Sequence, residues 1–238
     1  MVNSIAIFIP IANRLEIAWR CIPTVIDGMS EGDRLFICYD GAEDSRSFAD
    51  AFPRKQIEEI RSPRIGIEAQ RRKHFATLTP DSPFTHVYLT DADAIHDPAW
   101  RENLLAMQIR TGLPVCGYNT VAHTRLAGNT IVIGADHIIR RVAPGISYLL
   151  SAQHVFKVQR FLAGCSRPHW DWDWTVPSIL GNRMLITRPS YVDHIGFGGI
   201  HHPQDEDWNG GDRATEPTPW LITRRKQIIN ELWPPNLR

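Results

Sequence analysis

Three unbroken apolar runs constrain this chain more than any other feature. They lie in "SIAIFIP" (residues 4–10), "DRLFICYDG" (33–41) and "THVYLTDAD" (85–93). Each is continuous rather than alternating, the pattern of a strand buried on both faces of a parallel sheet. Helical segments stand between them. "RLEIAWRCIPTVIDGM" has apolar spacing near ~3.6, with Pro23 interrupting or kinking it. "DSRSFADAF" reads as a helix with Asp44 or Ser45 as its cap, and "IGIEAQRRKHFATL" as another. "PAWRENLLAMQIRTG" places Pro98 in a first turn and Gly112 at a C-cap. "QIEEIRSP", "LPVCGYN" and "NTIVIG" add short strands.

Alternation of this kind over the first ~120 residues predicts an α/β fold, a mostly parallel, doubly wound twisted sheet with right-handed crossovers. Its ligand crevice belongs at the carboxyl ends of the strands. Pro10, Asp40, Asp91 and Asp93 all fall at predicted strand ends. Turns favour aspartate, so turn chemistry explains part of that coincidence. Further on, "GADHIIRRVAPGISYLLSAQHVFKVQRFLAG" is expected to be helical in two pieces. "SRPHWDWDWTVPSILGN" is aromatic and irregular, "RMLIT" is a strand, and "TPWLITRRKQIINELW" is a final helix. No repeat or low-complexity linker appears, so the chain is expected to form one domain with two halves, residues 1–120 and 121–238.

Composition excludes some partners. Lys+Arg 26 balances Asp+Glu 26, so no global field draws the protein to nucleic acid or to an anionic membrane. Local basic clusters remain at "RKQIEEIRSPR", "RRKH" and "TRRKQ", and the favoured reading of each is a solvated helix face. Cys21, Cys38, Cys116 and Cys165 are widely separated with no CxxC pair, and the first three lie in apolar segments. They read as buried thiols of a reducing compartment. "MVNSIAIFIPIANR" lacks a basic stretch before its apolar run, so it reads as a first strand, not a leader. No apolar stretch approaches the ~20 residues of a membrane helix. A soluble, cytoplasmic protein is the expectation.

Asp91 and Asp93 carry the sharpest chemistry. In an extended segment, residues two apart point to the same side. "DAD" therefore aims two like charges at one point, and such a pair repels unless a cation or a proton lies between. A hard divalent cation, Mg2+ or Mn2+, fits that need and brings phosphate oxygens with it.

Several segments together resemble the GT-A-fold nucleotide-sugar glycosyltransferases, most closely the inverting family 2 type. "IFIPIANRLEIAWRCI" is similar to that family's opening strand and Pro-x-x-Asn-Arg turn, with Pro10, Asn13 and Arg14 in those places. "LFICYDGAEDS" resembles its Asp-Asp-Gly-Ser turn, with Tyr39 for the first Asp while Asp40 and Gly41 match. "RIGIEAQRR" resembles the Asn-x-Gly-x-x-x-Ala-Arg-Asn segment; Gly66 and Arg71 fit, while Arg64 and Arg72 stand where asparagine is common. "YLTDADAIHDP" matches the DxD strand. "GNRMLITRPSYVDHIGFGGIHHPQDEDW" resembles the late module, with Gly181, Met184, Arg188 and Gly196 aligned, "GFGG" a permuted Gly-Gly-Phe, and Glu206-Asp207 at the catalytic Glu-Asp. The likeness covers roughly residues 4–100 and 180–210, and its specificity lies in five pieces in order.

The resemblance implies a metal-dependent transferase moving a sugar from a UDP- or GDP-type donor to a hydroxyl. Residues 1–120 would bind the donor and 121–238 the acceptor. Asp93 would hold Mn2+ or Mg2+, and Asp91 would bind the ribose or support the metal through water. Asp40 would accept from the base or ribose, with Pro10, Asn13, Arg14, Gly66 and Arg71 nearby in the nucleotide site. Arg71 reads equally as helix-surface charge. Asp207 comes first as general base, then Glu206, then Asp205. His201 or His202 would complete the metal site, or else lie in a polar loop. If "HWDWDW" is extended, Trp170, Trp172 and Trp174 share one side and Asp171 and Asp173 the other, suiting a sugar platform. A tryptophan-rich plug is the alternative. His96 and Asp97 read as caps of the next helix. The acceptor is open among glycan, protein and a modified DNA base, as is inversion versus retention. A nucleotidyltransferase is a rival, but "IPIANRLE" lacks the glycine- and lysine-rich phosphate loop it needs. A non-catalytic carbohydrate-binding protein is another, and it predicts nucleotide binding without metal.

Overall fold

The computed structural model describes residues 3–53, 55–126, 128–165, 172–195 and 213–233. The first apolar run forms β1 (Ile5–Ile11), followed by α1 (Leu15–Asp27), β2 (Arg34–Asp40), α2 (Phe48–Ala51), β3 (Ile57–Ser62) and α3 (Ile67–Thr77). Next come β4 (His86–Thr90), β5 (Ala94–His96), α4 (Trp100–Thr111), β6 (Val115–Cys116), α5 (Val121–Thr124), β7 (Thr130–Ile133) and β8 (His137–Arg140). The chain continues through β9 (Ser147–Ser151), α6 (Ala152–Ala163), α7 (Trp172–Ile179), β10 (Met184–Thr187), β11 (Val192–His194) and α8 (Pro219–Leu232).

The expected α/β architecture is present. Among the described residues one mixed, largely parallel sheet runs in the order β3-β2-β1-β4-β9-β6-β10-β8-β7. β1 pairs in parallel with β2 and β4, and β2 with β3. β9 runs antiparallel between β4 and β6. A second, two-stranded sheet pairs β11 with β5. Continuous apolar patterning has the expected cause: both faces of β1 are covered. Ile5, Ile7, Ile9 and Ile11 pack with Ile22, Val25 and Leu104 on the α1–α4 face. Ala6 and Phe8 pack with Phe75, Val155 and Val158 on the α3–α6 face. At about 1.5–3 kcal/mol per fully buried large apolar side chain, β1 is a main anchor of the sheet.

Some expectations are corrected. β1 runs through Pro10 to Ile11; β4 pairs with β1 only as far as Phe8, so a residue without an N–H is tolerated beyond it. The helix in "DSRSFADAF" shrinks to α2 and is capped by Ser47, whose hydroxyl accepts from Asp50 N; Asp44 instead binds Trp19 Nε1 and Arg46. His96 is no cap: it is a buried strand residue bonded to Tyr88 Oη, whereas Asp97 does precede α4 and accepts from Ala99 N. The stretch expected to hold two helical pieces forms β8 and β9 before its single helix, α6. Ile138 and Ile139 pair with Ile186 and Leu185, and Tyr148 to Leu150 pair with β4, so strand partners far away in sequence decide an ambiguous apolar run. All four cysteines are free thiols, with Cys21, Cys38 and Cys116 buried.

Candidate functional site

The carboxyl ends of β1, β2 and β4 lie side by side, and three loops leave them. The loop after β1 turns into α1 at Arg14, which sits in the left-handed region (φ 58°, ψ 41°). That conformation is costly for a residue with a Cβ, of order 1–3 kcal/mol. It lets the Arg14 carbonyl accept from Ile17 N and Ala18 N while the guanidinium reaches across to Asp93. Asn13 is exposed beside it, and Pro10 is half-buried within β1.

The loop after β2 is fixed by Asp40. Its buried carboxylate accepts from Ile65 N at 2.6 Å, Gly66 N at 2.9 Å and Gln70 Nε2 at 3.3 Å. Gly66 has φ 89°, a conformation that glycine adopts without strain, and it opens α3 so that Arg71 faces the crevice. Asp40 thus organises the approach of α3 to the site, using its acceptor capacity on the protein's own donors.

At the end of β4 the two aspartates meet separate cations. Arg71 Nη2 binds Asp91 Oδ1 at 3.0 Å and the Gly145 carbonyl at 3.2 Å. The guanidinium also lies over the Trp172 ring, 5.2 Å from its centroid. Arg71 is buried at 7% exposure, which settles against a plain surface charge. Asp93 Oδ2 receives Arg14 and, at 3.1 Å, His194 Nε2. His194 arrives because β11 pairs antiparallel with β5, setting it opposite Ala94, and Ile195 N donates to the Asp93 carbonyl. The two environments push the carboxyls apart. Burial raises Asp91, with Arg71 opposing and Asp93 adding to the rise. At Asp93 burial acts upward too, but His194 and then Arg14 outweigh it and hold the group down at about 2. Asp93 is therefore the firmly ionised member of the pair.

Behind Asp91 the contact chain continues. Gly145 N donates to Asp173 Oδ1 at 2.6 Å, and Asp173 Oδ2 pairs with His123 Nε2 at 3.2 Å. His123 Nδ1 meets Thr120 Oγ1 at 3.0 Å. A Cβ on Gly145 would lie 2.8 Å from Asp173 Oδ1, so only glycine allows this approach.

The structure gathers Arg14, Arg71, Asp91 and Asp93 at one point, with Asp40 and Gly66 shaping the wall. It corrects the tryptophan alternation. Trp172, Asp173 and Trp174 lie on a helix, so Trp172 is buried against Phe75 while Trp174 is 52% exposed. Trp172 thus forms part of the core rather than a platform. Trp170, Asp171, Asp205, Glu206, Asp207, His201 and His202 lie outside the described residues. Sequence reasoning missed His194, His123 and Gly145. A lone histidine in "YVDHIG" reads as an ordinary strand residue, and only the pairing of β11 with β5 reveals its target.

Asp93 Oδ2 and His194 Nε2 are spaced like adjacent ligands on a small octahedral ion, which at ~2.1 Å bonds stand about 3 Å apart. Among the described residues no set of three or more His, Cys, Asp or Glu side chains forms a complete metal cage.

No protein-family profile and no curated protein matches the sequence. Solved structures do match. The structure of GalNAc-T7 with UDP, GalNAc and Mn2+ superposes with a TM-score of 0.59 at 12% identity over 80% of this chain. S. aureus TarS 1-349 gives 0.59 at 9% identity over 79%. The mannosyltransferase PcManGT from Pyrobaculum calidifontis, in complex with GDP-Man and Mn2+, gives 0.53 at 12% identity over 78%. These are GT-A glycosyltransferases. The chain has the GT-A fold. It spans 43%, 59% and 56% of those three chains. The site described above occupies the crevice at the carboxyl ends of the sheet, where a GT-A fold, like any open α/β sheet, takes its ligand. No helix among the described residues is long and apolar enough to cross a membrane.

Proposed function

We propose that this protein is a metal-dependent glycosyltransferase that moves a sugar from a UDP- or GDP-type donor to an acceptor hydroxyl with inversion. One observation carries the reading: Asp91 and Asp93 converge with Arg14, Arg71 and His194 at the ligand crevice of a GT-A fold. Asp93 and His194 place a carboxylate and an imidazole at adjacent-ligand spacing, a partial donor set that suits Mn2+, with the Asp91 carboxylate nearby. Asp93 and His194 would hold the ion, with Asp91 supporting it or the ribose. A bound divalent ion neutralises the charge that develops on a leaving diphosphate.

The chain's own residues supply the rest. Arg14 and Arg71 bring two guanidinium forks to a site that must bind phosphate oxygens. Asn13, Pro10 and Gly66 line the approach of the nucleotide, and Asp40 holds the α3 loop against it. A carboxylate, Asp207 or Glu206, takes the proton from the acceptor hydroxyl. The acceptor oxygen then bonds to the anomeric carbon from the face opposite the leaving group. The bond from that carbon to the diphosphate oxygen breaks, and the nucleoside diphosphate departs with the electron pair.

Thermal unfolding of wild type and Asp93→Ala against UDP- and GDP-sugars, with and without Mn2+, tests the reading. A ligand that binds only the folded state raises apparent stability by mass action, by about 2.7 kcal/mol at a hundredfold excess over Kd. The expected result is a shift with one nucleotide class that needs both Mn2+ and Asp93. A shift indifferent to both returns the chain to a non-catalytic binding role.

A further inference from the structure

The rim of the main sheet far from the crevice is apolar and exposed. β7 is the last strand in the order, five strand spacings from β4, which at ~4.8 Å each sets the two about 24 Å apart. Ile131, Val132 and Ile133 are 41%, 42% and 68% exposed, and Leu126 in the loop before them is 37% exposed. No other stretch of the described residues exposes two consecutive large apolar side chains. Single exposed apolar residues are ordinary, but a contiguous group marks an interaction surface. Thr130 pairs with Arg140 and Val132 with Ile139, so Ile131 is an extra residue that bulges the edge. Val132 and Ile133 are consecutive and point to opposite faces of the strand. Apolar side chains therefore meet solvent on both faces of the rim.

The end at which β7 begins is basic. Arg125 precedes the strand, and Arg141 lies beside it, its N donating to the Asn129 carbonyl at 2.9 Å and its Nε to the Gly128 carbonyl at 3.2 Å. Met184 pairs with Arg140, so Arg183 and Arg141 leave the ends of adjacent strands side by side. All three arginines are exposed, and none makes an ion pair among the described residues. The carbonyl bonded to Arg141 Nε is neutral and leaves its charge uncancelled. Residues 121–143 hold one acid, Asp136, at the other end of β7. Arg110 Nη2 and His137 Nδ1 already meet its carboxylate at 2.6 and 2.7 Å. The zero net charge of the whole chain thus conceals a local cationic surplus.

We propose that this rim docks the protein on the surface of an anionic lipid bilayer. The guanidinium groups bind lipid phosphates, and Ile131, Val132 and Ile133 sink to the boundary between headgroups and acyl chains, ~5–10 Å deep. Three properties of the rim favour a bilayer over a protein. A bilayer surrounds whatever enters it and so covers both apolar faces, whereas a packed protein surface covers one. The bulge at Ile131 breaks the ladder register that an added strand needs. A four-residue edge, about 13 Å long, falls short of the ~20–30 residues a side of a stable protein interface. Docking stays shallow, because the outward N–H and C=O groups of an edge strand need water or headgroups as partners. The donor crevice takes no part in this inference.

Co-sedimentation with vesicles, without nucleotide or metal, tests this. One set of vesicles is phosphatidylcholine alone, and the other is phosphatidylcholine mixed with phosphatidylglycerol. Wild type is compared with Ile133→Asn and with the double variant Arg141→Gln/Arg183→Gln, and circular dichroism and thermal unfolding confirm that each folds. Wild type is expected to bind the mixed vesicles and not the neutral ones. One cation at an anionic surface is worth about fivefold in affinity, so the double variant is expected to bind the mixed vesicles about tenfold or more weakly. Ile133→Asn is expected to lose about tenfold through its apolar contact. No binding to the mixed vesicles overturns the proposal, as does equal binding to neutral ones, or affinity unchanged in either variant. Sedimentation velocity without lipid reads the rival occupant. A wild-type dimer that Ile133→Asn dissociates assigns the rim to a second copy of the chain and overturns the bilayer.

Discussion

If Asp93 holds the proposed Mn2+, replacing Arg14 with alanine is expected to tighten the binding of that ion to the nucleotide-free protein. Arg14 and His194 share one oxygen of Asp93, so a metal ion arriving there meets a guanidinium already in place. Two unit charges about 4 Å apart interact by about 4 kcal/mol at an effective dielectric near 20. The Arg14 and Asp93 side chains are 19% and 14% exposed, so water and salt weaken the effect. Keeping roughly a third leaves about 1.4 kcal/mol, or about tenfold in Kd. Titration of Mn2+ followed by electron paramagnetic resonance reads free and bound ion directly. Arg14→Ala is expected to bind about tenfold tighter than wild type, Arg14→Lys to stay near wild type, and Asp93→Asn to bind weakest. A Kd unchanged or weaker in Arg14→Ala refutes the competition. A Kd unchanged in Asp93→Asn places the ion elsewhere. Donor binding is expected to move the other way, because in the proposed function the donor phosphates would lose the Arg14 guanidinium.

Three further outcomes follow from the geometry. Gly145→Ala forces a Cβ to 2.8 Å from Asp173 Oδ1 and breaks the link from Arg71 to Asp173, so it is expected to cost about 1–3 kcal/mol in chemical denaturation and to weaken donor binding. Arg101→Met leaves buried Asp33 without the guanidinium that grips both its oxygens, at 2.5 and 3.0 Å, and is expected to cost about 3–5 kcal/mol in the same assay. Burial holds His74 and His96 neutral, each lowered from 6.5 to about 3. Below pH 6.5 the unfolded chain takes up these protons and the folded one does not, so stability is intact above that pH and falls as pH drops toward 3, by up to about 1.4 kcal/mol per pH unit per histidine. Unfolding free energies measured from pH 7 to pH 4 are expected to fall accordingly, with a shallower slope in His74→Phe, which keeps the stack on Phe8; an unchanged slope refutes the assignment.

How much of this was legible in the sequence depends on how local each cause is. The strands β1, β2 and β4 and the helices α1, α4 and α8 follow from apolar patterning and capping, which act within a few turns of chain. Asp91 and Asp93 stood out because like charges two residues apart demand a counter-charge. The short β8 and β9 were misjudged because their apolar runs fit helix or strand equally, and the choice is made by partners in β10 and β4. Trp172 and Trp174 were read as extended alternation, but a helix sends one inward and the other to solvent.

The sequence by itself determined the α/β class, the order of its first elements and the pair of acids at the end of β4. Only the tertiary structure decided what those acids meet. Arg14 comes from the first loop, Arg71 from α3 and His194 from β11, separated from Asp93 by 79, 22 and 101 residues. Pairing across such distances is set by sheet register and by the closing of long loops, which no local pattern encodes.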